Sequence, residues 1–312
     1  MVNHESKTMK ASYSVSRRQF IASAAAATAA LAVPQPSRAA EESSLRRLKI
    51  LGFSKPFQNL NADDTADLVA EVGWDGIECP VRAKGQIEPE RVEDDLPKMA
   101  EALKRRKLEL AILSTDIRNP SQPLTQKVLR TASKLGVKRY RLSFWKYNAN
   151  RPIPEQLNEI RAELRDLAAL NQELGLCAGF QNHSGSDYVG APVWDIYDLI
   201  KDLDPRQMGI CFDIGHATLE GGMSWPIEAR LMERHYTAVF VKDFLWQKGP
   251  RGWRAEWCPL GAGMVNRSFF QTLKRSTFNG PISQHHEYPL QAGKEMIAAF
   301  KKDLHVLKEW LG

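Results

Sequence analysis

The sequence is sparing with cysteine, with unbroken apolar stretches and, past its leader, with net charge. Only 4 cysteines occur in 312 residues, and no two of Cys79, Cys177, Cys211 and Cys258 form a CxxC pair. Thiols so far apart read as buried and free, with a disulfide in an oxidising compartment as the alternative. The apolar run from Ala22 to Val33 falls short of the roughly 20 residues a helix needs to cross a bilayer. That argues against a membrane anchor, and the absence of a cysteine after the run argues against a lipid anchor. The formal net charge is +6, but residues 1–39 carry +4 of it (Lys7, Lys10, Arg17, Arg18 and Arg38 against Glu5), leaving +2 for the rest. So small a surplus does not point to nucleic acid or an anionic membrane as partner.

What is present begins with the leader. Ser16-Arg17-Arg18-Gln19-Phe20-Ile21 is a twin-arginine pattern ahead of the Ala-rich run, and Ser37-Arg38-Ala39 offers a cleavage point after Ala39 or Ala40. Residues 1–40 therefore read as a twin-arginine signal peptide and 41–312 as one mature domain. This route exports folded cargo, so the expected location is periplasmic or extracytoplasmic.

Short β-branched runs then alternate with amphipathic stretches. Strands are expected at 48–53, 76–79, 108–114, 139–144, 176–181, 209–212, 236–242 and 281–286. Helices are expected from the Asn61 cap, then at 89–106, 122–135, 154–174, 193–203, 225–234 and 292–311. Alternating units imply a parallel sheet with right-handed crossovers, and eight of them at about 30 residues each imply a (β/α)8 TIM barrel. The alternative is a doubly wound open sheet. That fold usually carries a Gly-rich turn after its first strand, which Phe53-Ser54-Lys55-Pro56 is not.

A barrel places its chemistry where strands end. Those ends carry Glu78; Ser114, Thr115 and Asp116; Ser143, Trp145 and Lys146; Gln181, Asn182 and His183; Asp213 and His216; Lys242 and Asp243; and His285 and Glu287. Each alone has a bland reading as a cap, a surface ion pair or a hydrogen-bonded core group. Their gathering at one face points to a ligand site. Period-two alternation puts His285 and Glu287 on one face and His286 on the other. Gly179 and Gly209 suit a crowded interior. His216 is expected in a loop beyond the strand ending at Asp213. The stretch 244–266 reads as a long functional loop holding Trp246, Trp253 and Trp257, whose indoles either stack on sugar rings or pack the loop onto the rim. Gly261-Ala262-Gly263 is a weak anion-cradle signal.

The chain resembles the sugar phosphate isomerase/epimerase family, the xylose isomerase-like TIM barrels. The resemblance rests on Gly73-Trp74-Asp75-Gly76-Ile77-Glu78, Gln181-Asn182-His183, Phe212-Asp213-Ile214-Gly215-His216, Val241-Lys242-Asp243, Pro259-Leu260-Gly261-Ala262-Gly263 and Gly280-Pro281-Ile282-Ser283 leading to Glu287. The leader resembles that of the family's exported branch. The resemblance implies one divalent metal held by Glu, Asp, His and Glu on strands five to eight. Those positions here fall on Gln181, Asp213, Phe240 and His285, with Glu287 two residues on. Gln181, Asp213, His285 and Glu287 remain a mixed oxygen and nitrogen set for Mn2+, Zn2+, Mg2+ or Co2+, with less negative charge than usual.

The expected function is a carbohydrate enzyme that removes a proton next to a carbonyl of a sugar or keto-glycoside, by isomerisation, epimerisation or elimination. Glu287, His216, Lys242 and His183 are the catalytic candidates. Glu78, Asn182, Trp145 and Trp246 are the substrate-binding ones. The alternative is a non-catalytic carbohydrate-binding barrel with a degraded metal site. A nuclease like the apurinic endonucleases of this superfold needs a richer His, Glu and Asp cluster and a basic face.

Overall fold

The computed structural model describes residues 48–312, so the expected signal peptide at 1–40 lies outside the described residues. Strands β1 (Ile50–Phe53), β2 (Gly76–Val81), β3 (Glu109–Thr115), β4 (Arg139–Arg141), β5 (Cys177–Gln181), β6 (Met208–Asp213) and β7 (Tyr236–Val241) pair in sequence. An antiparallel hairpin follows, β8 (Asp243–Gly249) and β9 (Gly252–Cys258). Strand β10 (Ile282–Gln284) then pairs in parallel with both β7 and β1 and closes the barrel.

The helices are α1 (Ala62–Val72), α2 (Val92–Arg105), α3 (Thr125–Lys134), α4 (Ile153–Leu174), α5 (Val193–Ile200), α6 (Ile214–Gly221), α7 (Trp225–Met232), α8 (Ser268–Arg275) and α9 (Lys294–Leu311). Local chemistry sets several boundaries. Asn61 caps α1 by accepting from the Asp64 N–H at 2.9 Å, satisfying a donor the first turn would leave unpaired. Leu68, Val69 and Val72 form its buried face, as spacing requires. Among the described residues no helix is long and apolar enough to cross a membrane.

Two layers of core follow from strand alternation. Leu51, Ile112, Cys211, Ala238 and Phe240 fill the barrel interior. The other strand faces join the helices in one larger apolar core. All four cysteines are free thiols, and burial pushes the Cys258 thiol up to about 11.

Three local expectations change. The stretch 244–266 is mostly the β8–β9 hairpin rather than a loop. Its polar and tryptophan residues hid a strand pairing whose tips reach solvent. His216 is not in a loop: α6 starts one residue after β6, capped by the Asp213 side chain. The gap before β10 holds α8, a short helix with no sequence-level assignment.

Candidate active site

Asp213 ends β6 and is fully buried. A carboxylate there is costly unless paired and hydrogen-bonded, and it is both. Its Oδ1 accepts from the His216 backbone N–H at 3.0 Å. Its Oδ2 accepts from the Gln181 side-chain amide at 2.8 Å and lies 3.2 Å from Lys242 Nζ. Lys242 leaves β7 and is also buried. Its ammonium rests 4.7 Å from the centre of the Trp257 ring, a cation–π contact that offsets part of its lost hydration. Gly215 makes the approach geometrically feasible. A Cβ there would lie 2.7 Å from the Lys242 carbonyl oxygen and 2.8 Å from its Cγ.

Two imidazoles stand beside this pair, with ring centres 4.1 Å apart. Their hydrogen bonds fix opposite tautomers. His216 Nδ1 accepts from the Ser184 backbone N–H at 3.1 Å, so its proton is on Nε2, which faces Asp213 Oδ2 at 3.8 Å. His183 Nδ1 meets the Ser184 carbonyl at 2.9 Å. A carbonyl only accepts, so His183 carries its proton on Nδ1 and keeps the Nε2 lone pair free. Burial, then Lys242, pushes both imidazoles below their ordinary range, His216 furthest. Both are neutral near pH 7. His216 is a donor in this arrangement and His183 an acceptor.

Glu287 stands past β10, on the far side of β7 and β6 from His183 in the barrel order. Its Oε2 pairs with Lys55 Nζ at 3.2 Å. Burial pushes its carboxyl up, but Lys242, His285 and Lys55 outweigh burial and hold it below its usual value. The floor beneath is made by Glu78 and His285. Glu78 Oε2 meets His285 Nε2 at 2.8 Å, and its Oε1 accepts from the Ser114 hydroxyl. The imidazole is held between Phe53 and Phe240, with ring centres 4.4 Å from each. Burial raises the Glu78 carboxyl, yet His285 and Ser114 bring it below its usual value.

The structure thus brings together Asp213, Gln181, Lys242, His183, His216 and Glu287, with His285 below them. Other expected contacts point elsewhere. Glu78 is fully buried and anchors His285 rather than facing a ligand. Asn182 spends its amide on the Asp213 backbone, donating to its carbonyl at 2.9 Å and accepting from its N–H at 2.8 Å. It fixes the β6 end from the side. Trp145 turns into the helix layer, stacks on Phe180 at 5.1 Å and donates to Glu163 at 3.0 Å. Trp246 is 46% exposed on the hairpin, sharing a face with Phe244 and Trp257 by strand register. Trp257 is the indole that reaches the site.

The Gly261–Gly263 turn does cradle an anion, but one from the chain itself. Asp243 Oδ2 accepts from the Gly261 and Gly263 N–H groups, each at 3.0 Å, and its Oδ1 from Val265 at 3.0 Å. Position 263 must be glycine, because a Cβ there would collide with the Asp243 carboxylate. Arg141 has no place among the expected site residues. It is buried, packs its guanidinium 4.7 Å from the Phe144 ring centre and pairs in register with Gly179, on the interior face.

Residues 66–310 match the family model described as xylose isomerase-like TIM barrel. The chain belongs to this family. Among solved structures of xylose isomerase-like barrels and sugar epimerases, it is similar to 3-keto-D-glucoside 4-epimerase YcjR from E. coli, with TM-score 0.66 and 14% identity over 84% of this chain and 100% of that one. It is similar to D-allulose 3-epimerase from Methylomonas sp., with TM-score 0.64 and 17% identity over 85% and 99%. A xylose isomerase-like TIM barrel protein from Mycobacterium smegmatis, solved with magnesium, gives TM-score 0.62 and 16% identity over 85% and 98%. Likeness at this identity carries the fold. The uncharacterized protein MJ1311 of Methanocaldococcus jannaschii is 24% identical over 161 residues, 51% of this chain and 50% of that protein. The chain thus spans about half the length of the curated relative it matches.

The family's metal positions can be tested against the residues present. Gln181 is neutral and already donates to Asp213. Phe240 has no donor atom for a metal. His285 has its Nε2 on Glu78 and its ring packed on both faces. Asp213, the one carboxylate of the set that matches the family position implied by the resemblance, has an ammonium at 3.2 Å. Among the described residues no three His, Cys, Asp or Glu side chains are grouped to hold a metal ion. The expected set of Gln181, Asp213, His285 and Glu287 therefore does not fit a divalent cation.

Proposed function

We propose that this chain is an exported isomerase- or epimerase-like enzyme that removes a proton from a carbon next to a carbonyl of a sugar or keto-glycoside. The observation that carries the reading is the pairing of acceptors with a cation. His183 Nε2 and the Glu287 carboxylate, both free of protons near neutral pH, flank the β6–β7 pair that presents Lys242 and the His216 N–H. Base on one flank takes the proton. The electron pair left on carbon moves onto the carbonyl oxygen, where the ammonium and the imidazole N–H compensate the developing charge.

Three outcomes follow from where the proton returns. Delivery to the neighbouring carbon with the oxygen shift is isomerisation. Delivery from the opposite flank to the same carbon is epimerisation. If a glycosidic oxygen lies one carbon further on, the pair expels it and the protonated base supplies its proton, which is elimination. The likeness to a 3-keto-D-glucoside epimerase and a D-allulose epimerase supports substrates of this kind. The leader favours an extracytoplasmic sugar over a sugar phosphate.

The test is deuterium wash-in. Incubated in D2O with ketohexoses, aldoses and 3-keto-glycosides, the protein should replace one carbon-bound hydrogen next to the carbonyl of its substrate, read by proton NMR. Sugar binding without exchange in any of them would instead support a carbohydrate-binding barrel that has lost its chemistry.

A further inference from the structure

We infer that the Lys242 ammonium stands in the place of the family's divalent cation, making this a site built to polarise its ligand without a metal. Four observations converge on that placement. The ammonium sits 3.2 Å from Asp213, the family-type carboxylate on β6. The strand-five position that would add a second negative charge is Gln181, whose neutral amide donates to the same Asp213 oxygen at 2.8 Å. The strand-seven position is Phe240, which packs on His285 instead of offering a lone pair. Gly215 leaves the space through which the lysine side chain passes, with a Cβ there 2.8 Å from Lys242 Cγ.

The substitutions are mutually consistent in charge. A divalent ion takes about two carboxylates to neutralise, and a single ammonium takes one. With a neutral amide at the strand-five position, one carboxylate, Asp213, is left facing one ammonium, Lys242, and the pair is balanced. Trp257 completes the arrangement from the hairpin side, its ring face 4.7 Å from Nζ. An ammonium held between Asp213 and the Trp257 ring does part of what a Lewis acid does: it gives a developing oxyanion a nearby positive charge already in place. Lys242 is therefore assigned both a structural charge, against Asp213, and a catalytic one, against the substrate oxygen. The catalytic half rests on the proposed proton abstraction; the placement does not.

The experiment reads metal binding with no sugar present, so its failure is separate from failure of the proposed reaction. Full-length mature protein is titrated with Mn2+ and the free ion is followed by electron paramagnetic resonance. The wild-type chain should take up no stoichiometric ion at millimolar Mn2+. The double variant Gln181→Glu/Lys242→Met, which removes the ammonium and restores a carboxylate, should bind Mn2+ at least about 100-fold more tightly, since both changes act within a few ångströms of the ion. Circular dichroism checks that this variant is folded. If it does not fold, Lys242→Met alone replaces it, with a smaller gain in the same direction expected. Tight binding of one Mn2+ by the wild type, lost in Asp213→Asn, overturns the inference. So does a folded double variant that binds no better than the wild type.

Discussion

At the scale of single residues, the proposed reaction divides the work of moving protons between Glu287 and His183, and only Glu287 is held as an anion by cations on two sides. Glu287→Gln keeps size and hydrogen-bonding shape but removes the base. Turnover should fall by about 10^3-fold while sugar affinity, followed by calorimetry, changes little. Unchanged turnover would remove Glu287 from the chemistry. Which residues meet at the mouth was largely legible: Asp213, Lys242, Gln181, His285 and Glu287 all follow from a strand end and a period of two. Asn182 and Trp145 were not, because past a strand end alternation no longer fixes where a side chain points. Asn182 therefore turned out to brace Asp213, and Trp145 to face the helices. Arg141 carried no sequence signal because, in the short strand Arg-Tyr-Arg, a second arginine reads as solvent-facing charge.

At the scale of elements, the closing helix α9 is pinned by a buried polar cluster. Asp303 accepts from the Tyr288 hydroxyl at 2.8 Å and lies 3.5 Å from His286 Nε2. Burial raises Asp303 to about 6 and lowers His286 to about 3. The signs differ. Asp303 favours its protonated form on folding, so its contribution to stability falls as pH rises from about 4 to about 6. His286 favours its neutral form, so its contribution is lost as pH falls from 6.5 towards 3. Asp303→Asn removes the first effect and keeps the second. The variant should exceed the wild type by up to about 3 kcal/mol at pH 7, and the gap should close by pH 4. Urea midpoints across that range check it; a gap that does not change with pH would rule out Asp303 as the titrating group. The cluster was half legible, since His286 was expected on the outer face but its partner on a distant helix was not. The hairpin and α6 show the same limit: their signals were local, but cross-strand pairing and an N-cap carboxylate that also serves the site require the assembled barrel.

At the scale of the whole molecule, eight βα units were enough to specify the barrel, and their strand ends to single out one face as the candidate site. The proposed twin-arginine leader implies a destination. In cells expressing the full chain, fractionation should find the mature protein outside the cytoplasm, and replacing Arg17 and Arg18 with lysine should hold it inside; unchanged export of that variant would remove the twin-arginine reading. The barrel's central property is narrower. On the proposed reading, a carbonyl-bearing sugar meets a cation between two proton acceptors, with no divalent ion required. Deuterium exchange from D2O, catalysed by chelator-treated protein, measures that directly. Exchange of one carbon-bound hydrogen next to the carbonyl, at a rate unchanged by added Mn2+, is the predicted result. No exchange with any keto or aldo sugar, before or after metal is restored, would contradict it.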